Sequence, residues 1–279
     1  SYIGAALNSR GLMRHMHGDD EAALADFDEA LRILREAGSE KVVDSTMSNR
    51  ADVLASLDRL EEAAAEVERA LPLLEEIGDP AHPLIARATR GRIHLRAGEF
   101  DAAERMLTKV IADFRAFGDT LDDPVARAQA GEAAGAITYL ALVHSRQGNP
   151  TRAWETIENG LAGTLREELG AGSPRVSLSE FQAALGARNA ASLFFGLATV
   201  EGTPAFLVTA DGIATWEIDV RHGVRTAHAD VLDMMAAGRE GERLDTLLSE
   251  LGAALLPADL PADVDRLVEL VERAAARAD

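Results

Sequence analysis

The 279-residue sequence contains no cysteine. That excludes disulfides, thiolate metal sites and a cysteine nucleophile within the chain. Aromatic residues make up only 4% of it, and the apolar positions fall largely to Ala and Leu. Such a chain packs by close approach of helices, because Ala has the best helix propensity and lets helix backbones come near one another. Basic residues are outnumbered by acidic ones, 28 against 47, for a formal charge of −19. A phosphate backbone or an anionic membrane surface would repel this chain on average, and no basic run offsets that. Neither a nucleic-acid nor a membrane partner is expected. No apolar run reaches the length of a membrane-spanning helix. The opening Ser1-Tyr-Ile-Gly-Ala5 lacks an initiator Met and a basic n-region, so it reads as a fragment boundary rather than a signal peptide. A cytoplasmic setting is the expectation. There is no calcium loop of alternating oxygen ligands around a central Gly. Gly196, Gly202 and Gly212 sit in strand or turn settings, not in a phosphate-binding loop. The sequence therefore assigns no catalytic residue, no cofactor and no metal site.

What is present is a repeat. Gly18-Asp-Asp-Glu-Ala-Ala23 returns as Asp58-Arg-Leu-Glu-Glu-Ala63, Gly98-Glu-Phe-Asp-Ala-Ala103 and Gly148-Asn-Pro-Thr-Arg-Ala153. The copies begin at 18, 58, 98 and 148, spaced 40, 40 and 50. Self-similarity on this scale marks a helical repeat array. Each copy reads as the turn of a helix pair, with Gly accepting the left-handed geometry after a helix and an acidic residue such as Asp19 or Asp20 capping the next. Ala23, Phe27, Ala30, Leu31 and Leu34 recur at helical spacing after the first turn, as do Ala63, Val67, Ala70 and Leu74 after the second. Ala103, Leu107, Ile111 and Phe114 follow the third, and Ala153, Trp154, Ile157 and Leu161 the fourth. Gly78-Asp-Pro80 and Gly118 to Pro124 read as loops between units, and the fourth unit opens on a long helix over about 124–147. Pro150 stands at a first helical position, where Pro is tolerated.

These units resemble tetratricopeptide repeats, over about residues 1–165. The small residue midway along each first helix is matched by Gly11, Ala51, Gly91 and Ala141. The turn and its Ala are matched as above, and the large apolar residue after that Ala by Phe27, Val67, Leu107 and Ile157. A further small residue is matched by Ala30 and Ala70 but not by Val110. Spacings longer than the familiar unit imply longer helices. The resemblance implies an α-solenoid of four helix pairs whose concave face, lined by alternate turns of the first helices, takes a protein or peptide partner. By this register Asn8, Leu12 and His15 line it in the first unit, Ser48, Asp52 and Ser56 in the second, Ala88, Arg92 and Arg96 in the third, and Thr138, Leu142 and Arg146 in the fourth. Arg92, Arg96 and Arg146 converge on a surface where guanidinium groups would receive a carboxylate. The plainer alternative is that each pairs with a neighbouring Glu or Asp. The two-Asn pattern of carboxylate-clamp relatives is not reproduced. His94 and His144 occupy equivalent positions and read as packing residues.

After Leu169 the texture changes, dividing the chain into a repeat array over 1–170 and an α+β region over 171–279. Gly170 to Ser177 reads as a linker and Ser179 to Ala187 as a short helix. Ser192–Thr199, Ala205–Thr209 and Ile213–Ile218 read as a three-stranded antiparallel meander with turns at Glu201-Gly-Thr203 and Asp211-Gly212. Helices are expected over about 227–256 and after Pro261. This order resembles the start of a CHAT domain, the caspase-like family often fused to such repeats; Leu185 to Val220 carries the likeness, especially Ala205 to Gly212. Members of that family cleave proteins with a His and a Cys from the later part of the domain. This chain has no Cys and ends at Asp279, before that part is expected, so no catalytic residue carries over. The expectation is a non-catalytic scaffold or sensor at the front of a repeat-CHAT protein. The alternative is a structural or regulatory scaffold that self-associates through the edges of its meander.

Overall fold

The computed structural model describes residues 2–76, 81–118, 133–162, 177–188, 192–195, 199 and 201–218. The loops expected at 78–80 and 119–124, the start of the fourth unit's leading helix, most of the 170–177 linker and all helices expected after 227 lie outside the described residues. The chain divides into two units, Ser1–Ser173 with Thr199–Glu201, and Pro174–Ala198 with Gly202–Asp279.

The first unit is a run of antiparallel helix pairs: α1 (Tyr2–Met16) with α2 (Asp20–Glu36), α3 (Glu40–Ser56) with α4 (Leu60–Glu76), α5 (Ala81–Arg96) with α6 (Phe100–Gly118), and α7 (Ala133–Arg146) with α8 (Pro150–Ile157). One turn geometry sets all four pairs. Gly18, Asp58, Gly98 and Gly148 have φ of 82°, 61°, 73° and 72°. Behind each, the next N–H reaches back to a carbonyl in the last turn: Asp19 to Arg14, Arg59 to Leu54, Glu99 to His94 and Asn149 to His144, all at 2.9 Å. This left-handed cap satisfies carbonyls that the helix end would otherwise orphan. The following helix then starts at a fixed point, and Ala23, Ala63, Ala103 and Ala153 arrive fully buried.

Side-chain size is matched across each pair. A Cβ added at Gly11 would stand 2.9 Å from the Phe27 ring, and one at Gly91 would stand 2.6 Å from Leu107. Where the second-helix residue is the smaller Val67, the first helix carries Ala51 instead, and both are fully buried. Burying Phe27, Leu34, Leu54, Leu74, Leu95 and Leu107 contributes about 1.5–3 kcal/mol each. An ion pair also repeats with the register: Arg10 meets Asp26 at 2.6 Å and, 40 residues on, Arg50 meets Glu66 at 3.5 Å.

Two local expectations need correction. Asp19 occupies the N-cap of α2 without a side-chain capping bond. The Asp20 carboxylate does not cap either; it turns back to His15 at 2.6 Å, a charge-assisted partner stronger than a capping amide. The second helix of the fourth unit is regular only to Ile157 and then widens into a π turn over Glu158–Ala162. There Gly160 lies so near Ile137 that an added Cβ would come within 2.5 Å. The start of α8 follows expectation, with Pro150 in the first turn and Asn149 Oδ1 accepting from Arg152 N at 3.1 Å.

In the second unit, α9 (Leu178–Arg188) opens on a capping box. Ser177 N donates to Glu180 Oε2 at 2.8 Å and Glu180 N donates to Ser177 Oγ at 3.2 Å. The strands β1 (Ser192–Phe195), β2 (Thr203–Val208) and β3 (Ile213–Ile218) pair antiparallel in the order β1-β2-β3. Phe194 stands opposite Phe206, and Phe206 opposite Thr215. Strand β2 is buried along its whole length, which explains its unbroken apolar run Pro204 to Val208. Gln182 of α9 donates to the Gly212 carbonyl at 3.0 Å and fixes the helix to the β2–β3 turn.

Asp58 is the one non-Gly residue at positive φ among the described residues. Asp58→Gly raises unfolding stability by about 0.5–1 kcal/mol, and Gly98→Ala lowers it by about 1 kcal/mol, since only the second puts a Cβ into the left-handed region. Gly91→Ala costs about 1–3 kcal/mol through overpacking against Leu107. Urea unfolding of the three variants reads all of these, and a stabilising Gly98→Ala or Gly91→Ala contradicts the geometry.

Candidate ligand-recognition site

The first helices of the four units stand in a row, and the second, third and fourth each carry a polar side chain that meets the first helix of the unit before. Asn49 Nδ2 donates to Asn8 Oδ1 at 3.1 Å, and Thr89 Oγ1 to Asp52 Oδ1 at 3.5 Å. Tyr139 accepts from Arg92. Asn49, Thr89 and Tyr139 share one register position, at spacings of 40 and 50, so the helical pitch that aligns the units also aligns these bonds.

At the middle of the row the side chains form a chain of alternating charge. His15 lies between Asp20, 2.6 Å from its Nδ1, and Asp52, 3.2 Å from its Nε2. Asp52 lies 3.3 Å from Arg92 Nη2, and its backbone carbonyl accepts from the same nitrogen. Arg92 Nη1 lies 3.3 Å from Glu201 Oε1. Arg96 Nη1 donates to both oxygens of Glu201, at 3.2 and 3.1 Å. Arg96 Nη2 is 3.6 Å from Asp58. Ser56 Oγ accepts from Arg92 at 3.3 and 3.4 Å.

Burial separates these groups from an ordinary solvated helix face. The Arg92 side chain is fully buried, at 0% exposure, and Glu201 is at 4%. A buried charge costs several kcal/mol unless it is paired and hydrogen-bonded. Burial alone would lower the Arg92 pKa, but Asp52, Tyr139 and Glu201 outweigh it and hold that pKa above the ordinary Arg value. Burial would raise the Asp52 pKa; Arg92 and His15 reverse this and keep the carboxyl below the usual range. For His15, burial again opposes the charge, and the two carboxylates prevail, raising its pKa to about 9. Burial pushes the Tyr139 hydroxyl up to about 12, so it stays protonated. His15, Asp52 and Arg92 are therefore charged at neutral pH, and Tyr139 is neutral.

The residues expected to line a binding face are distributed unevenly. His15, Ser48, Arg92, Thr138 and Leu142 are buried; Asn8, Asp52 and Arg96 are half-buried; Leu12 and Arg146 are exposed. Of the three Arg residues, Arg92 and Arg96 share one carboxylate, that of Glu201. Arg92 and Arg96 do pair with acids, but the acid they share is not a neighbour in sequence. Spacing alone does not point to Glu201, which lies 105 residues beyond Arg96 in the turn expected between the first two strands. Tyr139 carried a usable signal, being one of two tyrosines in the chain and standing at the register position of Asn49 and Thr89. His144 is buried and bonded to Gln147 at 3.4 Å, and burial lowers its pKa, as suits a packing role. His94 is half-buried against Glu99 at 2.5 Å.

The tetratricopeptide repeat family model matches residues 42–116, which span α3 to α6. No curated protein matches the chain. Among the described residues, no helix is long and apolar enough to cross a membrane.

His15 supplies a pH test of the seam. Its folded pKa lies above the ordinary 6.5, so its stabilisation is complete below about pH 6.5 and is lost as pH climbs through about 9. The loss is on the order of 2 kcal/mol, less than the full shift would give because Asp52 keeps some contact with solvent. Thermal unfolding between pH 6 and pH 9.5 reads it (~0.5 units clear of each end of the transition). His15→Gln flattens the decline across that window, and an unchanged slope contradicts the pairing.

Proposed function

We propose that the repeat array is a protein-binding module whose partner lays a carboxylate-bearing segment along the concave face formed by the first helices. Tetratricopeptide repeats generally mediate protein–protein interaction, and the match over residues 42–116 covers the helices that carry Asp52, Arg92 and Arg96. The observation that carries the finer reading is the Glu201 carboxylate held between Arg92 and Arg96. A site that accepts one carboxylate against two guanidinium groups has the chemistry to accept another. In this reading the solvent-reaching Asn8, Leu12, Asp52, Arg96 and Arg146 meet the partner. The buried His15, Ser48, Arg92, Thr138 and Leu142 hold the face in place beneath them. The partner is a protein or peptide with acidic side chains or a free C-terminus, and its attraction is local, since the chain as a whole carries −19.

The same proposal divides the chain near residue 170 into a binding array and an α+β region. The helix Leu178–Arg188 leading into an antiparallel meander is in keeping with the front of a CHAT domain. A protein built that way would join a sensing array to a cysteine protease, with the nucleophile supplied from outside this chain.

Selection of a random peptide library on the full chain tests the binding function. Enriched peptides are expected to carry Asp, Glu or a free C-terminal carboxylate, and to lose most of their affinity for an Arg96→Ala variant. Enrichment of uncharged peptides, or of peptides indifferent to Arg96→Ala, overturns the proposal.

A further inference from the structure

Glu201 is not part of any repeat. It belongs to the short segment Thr199–Glu201 that groups with the array, and its backbone N–H is held by Thr199 Oγ1 at 3.3 Å. Its carboxylate nevertheless fills the point where the two central cations meet. It fills that point incompletely. Both bonds to Arg96 come from Nη1 alone, and Arg92 also offers Glu201 an Nη atom. The Nε–H groups of Arg92 and Arg96 are both buried and have no hydrogen-bond partner. A carboxylate docks best on guanidinium through two parallel bonds from the Nε/Nη fork, and a buried donor left unmade costs about 1–3 kcal/mol. Glu201 is held through Nη1 of each guanidinium alone, short of that two-bond geometry.

We propose that Arg92 and Arg96 form a carboxylate-recognition subsite which Glu201 occupies in cis, so that the acidic group of a partner peptide binds by displacing Glu201. The inference rests on the peptide-binding reading above and adds to it an internal competitor. Glu201 neutralises the buried guanidinium of Arg92 while no partner is present, and without it that charge would lack one of its two acids. Glu201 reaches each guanidinium through a single Nη atom, and paired bonds are what a better-placed carboxylate gains and Glu201 forgoes. An intramolecular competitor lowers apparent affinity by the fraction of molecules in which it holds the site. Weak acidic segments are therefore rejected, and only those that engage the fork or add contacts along the row replace it.

The test uses the full chain and two fluorescein-labelled probes, a hexaglutamate peptide with a free C-terminus and its hexaglutamine amide counterpart. Wild type, Glu201→Gln and Arg96→Ala are titrated by fluorescence anisotropy, with circular dichroism confirming the fold of each. Glu201→Gln is expected to bind hexaglutamate roughly tenfold tighter than wild type, the factor for a competitor that fills the site about nine-tenths of the time. Arg96→Ala is expected to abolish this binding, and the neutral probe to bind none of the proteins. Equal affinity of wild type and Glu201→Gln, with loss in Arg96→Ala, overturns the competitor while leaving the binding face intact. Absence of hexaglutamate binding to every protein, or binding indifferent to Arg96→Ala, overturns both. Should Glu201→Gln fail to fold, hydrogen exchange on wild type decides. Saturating hexaglutamate speeds exchange of the Glu201 and Gly202 amides if Glu201 is displaced, and unchanged or slowed exchange overturns the proposal.

Discussion

The buried guanidinium of Arg92 is the constraint on which the array's central packing depends. A cation at 0% exposure is tolerable only if its partners are held in place. Those partners come from different parts of the chain: Asp52 from α3, Tyr139 from α7, and Glu201 from beyond the repeats. Each is held in turn. Asp52 also receives His15 and Thr89, and Glu201 also receives Arg96. Arg92 thus links α5 to α3 and α7, and the His15–Asp52 pair carries the chain of charges on to α1. Apolar contact supplies most of the stabilisation, and the alternating charges supply the register.

This division of labour explains what could be read from the sequence. The helix pairs were legible because they rest on local chemistry. A left-handed turn needs Gly or a tolerant Asp, and the helix after it needs a small residue at a fixed distance. Both requirements are written at 18, 58, 98 and 148 and at 23, 63, 103 and 153. The small position of each first helix and the large one of each second helix were legible for the same reason, and the structure brings Gly11 against Phe27 and Gly91 against Leu107. The burial of Arg92 was not legible. Its spacing places it on the row of first helices, but how deeply a side chain sinks between units depends on packing that no spacing encodes. Glu201 was less legible still, because one acidic residue in a turn has no pattern that ties it to two arginines about a hundred positions earlier. The Asp20 side chain departs from the capping role open to Asp19 or Asp20 because His15, in the preceding helix, offers a stronger bond than a backbone amide.

The proposed function rests on the same physics. A chain of −19 attracts acidic partners poorly at long range, so recognition of a carboxylate must be local and desolvated. In the proposal the row from His15 to Arg96 is that setting, with its positive groups paired to acids. Glu201 supplies an acid to both Arg92 and Arg96, and in the proposal it is the group a ligand must displace. The second unit, with its buried central strand and its α9 anchored to the Gly212 carbonyl, is built on different principles from the repeats.

The central claim is that Arg92 and Glu201 depend on each other directly, and a double-mutant cycle on folding stability measures that dependence. Arg92→Met, Glu201→Gln and the double variant are unfolded in urea beside wild type. The account predicts a coupling energy of about 1–3 kcal/mol, with the double variant less destabilised than the sum of the two single ones. Additive effects, with coupling indistinguishable from zero, would contradict it.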